Sequence, residues 1–94
     1  MNETLVEFFN FINKEVDYEK TIIFIESGSL NLALIINNLN YDSTCKYIEL
    51  AKEIINYNGS NINILMYDNT EERDILEVLK NSNIDFFELK GSNT

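Results

Sequence analysis

Apolar residues near the start of the chain recur at helical spacing. Leu5, Phe8, Phe9, Ile12 and Val16 fall on one face of a helix predicted over about residues 3–16, with Glu7 and Glu15 turned away. Phe11 lies off that stripe and is expected under the following segment, the alternative being an exposed partner contact. The period then changes. In TIIFIES, Ile22, Ile23, Phe24 and Ile25 are β-branched or aromatic and stop at Ser27-Gly28-Ser29, which reads as a strand covered on both faces. The run Leu30 to Ile36 alternates Leu30, Leu32, Leu34 and Ile36 with Asn31, Ala33 and Ile35. As a helix capped by Ser29 it would be apolar nearly all round. As a strand it forms a hairpin with its predecessor across a short glycine-containing loop, and the hairpin is the reading adopted.

From about residue 43 to 57 the helical pattern returns. Tyr47, Leu50, Ala51 and Ile54 form a stripe widened by Ile48 and Ile55, with Asp42 or Ser43 as cap and Asn58-Gly59 as stop. NINILMY follows as a strand, Ile62, Ile64 and Met66 on one face and Leu65 and Tyr67 on the other. A helix over about residues 70–80 uses Ile75, Val78 and Leu79, and IDFFEL closes the chain as a strand with Phe86 and Phe87 on opposite faces. Residues 91–94 read as a frayed tail. The predicted fold is a single small α/β or α+β domain of order α-β-β-α-β-α-β, a mixed sheet with parallel C-terminal strands and helices packed on it. The last strand, helix and strand resemble a glutaredoxin-like unit, but DNTEERD stands where its cysteine motif would be, so none of that chemistry carries over.

Composition narrows the function more than the pattern does. The 94 residues suit one domain, and 45% hydrophobic with 24% charged residues is ordinary for a folded chain. There is no histidine and a single cysteine, Cys45, which excludes histidine-based triads, Cys/His nucleophiles, thiolate zinc cages and internal disulfides. No enzyme activity and no cofactor are expected. The N-terminus lacks a basic start and no segment approaches a membrane span, so the expected location is cytoplasmic. Fifteen Asn and 13 Ile against two Ala point to an AT-rich gene, hence a low-GC bacterium, its phage or another virus. Such codon usage should also enrich lysine, yet the net charge is -9, so the acidity runs against the bias and reads as selected. A chain this acidic repels nucleic acid and anionic membranes, which leaves a basic protein as the natural partner.

Charge concentrates in MYDNTEERD, Met66 to Asp74. Residues 61–79 hold five acids and one base, whereas residues 80–94 are neutral. Asn69 as N-cap with Glu72 three residues on approximates a capping box, and acids suit the first turn of a helix. Capping does not explain Asp74 and Glu77. The candidate partner-binding surface is therefore Tyr67, Asp68, Glu71, Glu72, Asp74 and Glu77, with no catalytic residue and no metal ligand assigned. Cys45 near a helix start has no histidine to serve as base and reads as structural or incidental. Ser27-Gly28-Ser29 lacks the context of a phosphate loop.

The expected function is a non-catalytic, acidic protein-binding domain. It would be an inhibitor, antitoxin or immunity-type protein, phage-encoded in one version, that blocks a basic nucleic-acid-handling partner such as a nuclease. The alternatives are a regulatory α/β domain binding Mg²⁺ or a small ligand beyond the carboxyl ends of its parallel strands, where Asp68 would stand, and an oligomeric structural protein. In the last, Leu30 to Ile36 would pair across a symmetric edge to give a homodimer.

Overall fold

The computed structural model describes residues 3–42, 44, 45, 47–49, 52 and 62–91, omitting the side chains of residues 3–5, 8, 11 and 15. The expectations for Leu5, Phe8, Phe11, Ser43, Leu50, Ala51, Ile54, Ile55, Asn58-Gly59 and residues 92–94 fall outside what is described. Helix α1 spans Glu3–Glu15 and precedes the hairpin β1 (Tyr18–Glu26) and β2 (Ser29–Ile36). The described residues between 41 and 52 are helical. Strand β3 (Ile62–Asp68), a 3-10 turn (Asn69–Glu71), helix α2 (Glu72–Asn81) and strand β4 (Phe86–Lys90) complete the order.

The sheet runs β3-β2-β1-β4. β2 pairs parallel with β3, and β1 pairs antiparallel with both β2 and β4. β3 and β4 thus point the same way, as their helical crossover requires, but occupy opposite edges with the hairpin between them. This is the small mixed α+β sheet that the hydrophobic periodicity predicts. The hairpin turn is Ser27-Gly28, flanked by the pair Glu26 and Ser29. Both turn residues have positive φ, 55° and 78°, matching the right-handed twist of the strands.

Alternation sorts the side chains into two cores. Leu32, Leu34 and Ile36 pack with Ile12, Val16 and Tyr18 on the α1 face, joined by Ile62, Ile64, Met66 and Tyr47. Ala33 and Ile35 pack with Ile22 and Leu79 on the α2 face, joined by Leu65, Tyr67, Ile75 and Phe86. β2 is buried along both faces, and its sequence is accordingly apolar at nearly every position. It lies inside the sheet with a strand on each side, so the symmetric edge pairing expected of Leu30 to Ile36 has no free edge to use.

A register shift between Tyr18 and Lys20 inserts one residue into β1. The bulge reverses the alternation, so Tyr18 joins the α1 core while Lys20, two residues on, lies with Ile22 toward α2. Gly91 fits against this bulge. Its N–H donates to the Glu19 oxygen at 2.8 Å, and a Cβ there would collide with the Tyr18 carbonyl oxygen.

Candidate functional site

The carboxylate cluster divides into parts with different tasks. Asp68, at the end of β3, is the N-cap of the 3-10 turn. One carboxylate oxygen accepts the Leu39 N–H at 2.9 Å, and the other accepts the Thr70 N–H at 3.2 Å and the Thr70 hydroxyl at 2.7 Å. These donors, the Thr70 hydroxyl first, hold its carboxyl below the ordinary carboxylate range. The cap expected at Asn69 is therefore supplied one residue earlier. Asn69 instead donates to the Asn37 side-chain oxygen at 3.2 Å, and Asn37 in turn donates to Asp17 at 3.2 Å. The carboxyl ends of the parallel strands are thus stitched together by their own polar side chains. Among the described residues no group of three or more acids and cysteines is placed to hold a metal ion.

Glu72 has a different partner. It meets the Lys20 ammonium of β1 at 2.9 Å, and the same ammonium meets Glu88 of β4 at 3.0 Å. Glu72, followed by Glu88, raises the Lys20 pKa above its ordinary value. This triad fastens the start of α2 across β1 to the edge strand, so Glu72 belongs to the scaffold.

Tyr67, Glu71 and Asp74 do come together. They line an open groove of about 530 Å³ between α2 and the sheet, whose apolar wall includes Phe24, Leu65, Ile75, Val78, Leu79 and Ile84. Val78 is 61% exposed although apolar. Glu26 and Asn31, not among the residues singled out from the sequence, complete the lining. Asn31 is anchored, donating to the Ser29 carbonyl at 3.0 Å and accepting from Asn63 at 3.2 Å. The groove therefore carries three carboxylates, the Tyr67 side chain, the anchored Asn31 amide, and no base. Glu77 sits elsewhere, on the other flank of α2 with Arg73, Leu76 and Lys80.

Helical geometry explains this division. Positions 71, 74, 75 and 78 share one side of α2, whereas 73, 76, 77 and 80 share the other. Glu26 shares its sheet face with Ile22 and Phe24, a relation that period-2 alternation contains once the hairpin is accepted. Tertiary packing then brings it to Asp74.

An apolar trough with a carboxylate rim can take a side chain that is apolar along its stem and cationic at its tip. Lysine and arginine have that form. Comparison with family models, with curated proteins and with solved structures returns no match. Among the described residues no helix is long and apolar enough to cross a membrane.

Proposed function

We propose that this chain is a non-catalytic protein-binding domain of the inhibitor, antitoxin or immunity type, and that it blocks a basic, nucleic-acid-handling protein. The observation that carries this reading is the groove beside α2, where Glu26, Glu71 and Asp74 surround an apolar wall with no base among the lining residues. A lysine or arginine of the partner would lay its aliphatic stem along Val78 and Ile75 and place its cation among the carboxylates, which would take the place of phosphates in the partner's basic groove. The net charge of -9 would steer the encounter from a distance.

The test is capture from an extract of the source organism with the immobilised chain, beside a Glu71→Lys/Asp74→Lys variant. A basic protein retained by the wild type and lost from the variant, whose nucleic-acid binding or cleavage is then inhibited by the purified chain, is the expected result. Equal retention by both, or a retained protein whose activity the chain leaves unchanged, would refute the reading.

A further inference from the structure

β4 is an edge strand, and among the described residues no strand pairs with its outer side. The bond from the Gly91 N–H to Glu19 on β1 fixes its orientation. Alternation then turns the backbone of Leu89 and Phe87 toward β1 and directs the N–H and C=O groups of Phe86, Glu88 and Lys90 at the open edge. On the α1 side of the sheet, Phe87 is 74% exposed, Leu89 47% and Ile25 of β1 68%. An open edge flanked by uncovered apolar side chains is a template for another strand.

Charge and register select the occupant. We propose that a second copy of this chain adds its β4 antiparallel to this edge, continuing the sheet across a two-fold axis. Only a register centred on Glu88 overlaps the whole five-residue strand. Phe86 then faces Lys90 of the second copy and Glu88 faces its own counterpart, and these outward-facing residues exchange the ladder hydrogen bonds. Between them, Phe87 stands opposite Leu89 of the second copy, twice by symmetry, at the closer non-hydrogen-bonded positions.

On the other face the register sets two like-charged Glu88 side chains opposite one another, and lysines offset their repulsion. Each Glu88 has Lys20 of its own chain at 3.0 Å and gains Lys90 of the second copy as a diagonal neighbour. Lysine on an edge ordinarily discourages pairing, but here it meets an acid. The chain as a whole carries -9, yet residues 80–94 contain Lys80, Asp85, Glu88 and Lys90 and sum to zero. Self-association of so acidic a chain is least opposed at this edge. A basic partner finds no excess of acid there, which separates this surface from the groove beside α2.

Sedimentation velocity on the full chain, from about 1 µM to about 1 mM, spans the affinities expected of a short edge pairing. The expected result is a concentration-dependent dimer that Phe87→Lys/Leu89→Lys abolishes, because the cross-strand apolar pairs become lysine pairs. Phe87→Asp/Leu89→Lys should restore it, since this register sets each aspartate opposite a lysine. Glu88→Cys in a Cys45→Ser background supplies an independent readout, a disulfide-linked dimer under mild oxidation. A wild-type monomer throughout the range, a dimer unchanged by the lysine pair, or no cross-link through residue 88 overturns the proposal.

Discussion

The Asp68 carboxylate holds the backbone N–H of Leu39 at 2.9 Å, joining points 29 residues apart in the chain. It also caps the turn into α2 through Thr70. One side chain thus secures both the segment leaving β2 and the segment leaving β3. Asp68→Ala is expected to lower the thermal midpoint by about 5 °C, as loss of a helix cap does in a domain of this size. Asn69→Ala removes only a bond to Asn37 and should change it less. Circular dichroism melts compare the two, and an equal or larger loss for Asn69→Ala would place the cap there instead.

The same residue sets a pH dependence. Its folded carboxyl titrates below the ordinary range because the Thr70 hydroxyl, the Leu39 N–H and the Thr70 N–H all favour the charged form. A folded pKa depressed below the unfolded one contributes stability that is present above the unfolded value and lost as pH falls through the folded value. Asp68→Asn should therefore flatten the acid limb of a stability profile while leaving the slope near neutrality unchanged. Urea midpoints measured below and above the carboxylate range decide this, and parallel acid limbs for both proteins would show that Asp68 is not the titrating group.

Lys20 predicts the opposite limb. Glu72 and Glu88 hold its pKa above the ordinary value, so the stability it contributes is complete below the unfolded lysine pKa and is lost as pH rises through the folded one. The three side chains are only partly buried. A double-mutant cycle between Lys20→Met and Glu72→Gln should give a coupling of about 0.5–1 kcal/mol at neutral pH. That coupling should shrink in strongly alkaline solution, and a constant value would assign the contact to packing of the lysine stem.

Much of the fold was legible because burial left a clear period. β2 is apolar at alternate positions on both faces, and the strand beginning at Ile62 separates Ile64 and Met66 from Leu65 and Tyr67 as alternation requires. The strand order was not legible, since periodicity reports which faces are buried but not which strand lies beside which. The bulge was equally hidden. Nothing in YEKT signals that Glu19 is the extra residue which turns Lys20 toward Glu72. For the same reason the cluster read as one acidic surface. A helical projection separates Asp74 from Glu77 only when the buried face is known, and Glu72 is paired with a lysine 52 residues away in the chain, which no local pattern reveals.

Thr21 offers a stability test independent of charge. Its Oγ1 is buried, and no described residue hydrogen-bonds to it. A buried hydroxyl without a partner forfeits its hydration, and valine has nearly the same shape without that cost. Thr21→Val is expected to stabilise the fold by about 1 kcal/mol, and β-branching is retained for the strand. Chemical denaturation of the two proteins measures the difference. A destabilised valine variant would reveal a hydrogen bond to the hydroxyl.

The two flanks of α2 separate binding from bulk charge. Asp74 lines the groove with Glu71 and Glu26, whereas Glu77 lies on the flank with Arg73 and Lys80. Each reversal to lysine changes net charge by the same amount, so long-range steering falls equally in both variants. Only Asp74→Lys places a like charge where the partner's cation is proposed to rest. The association rate should fall to a similar degree in both, on the order of tenfold at low salt, and converge with wild type as salt screens the field. The dissociation rate should rise for Asp74→Lys alone, because that rate is set by the short-range attraction holding the bound complex together. Both residues are exposed, so both variants should stay within about 0.5 kcal/mol of wild-type stability. Surface plasmon resonance with the identified partner resolves the two rates. Equal dissociation rates for Asp74→Lys and Glu77→Lys would mean that the groove is not the contact and that the acids act through net charge alone.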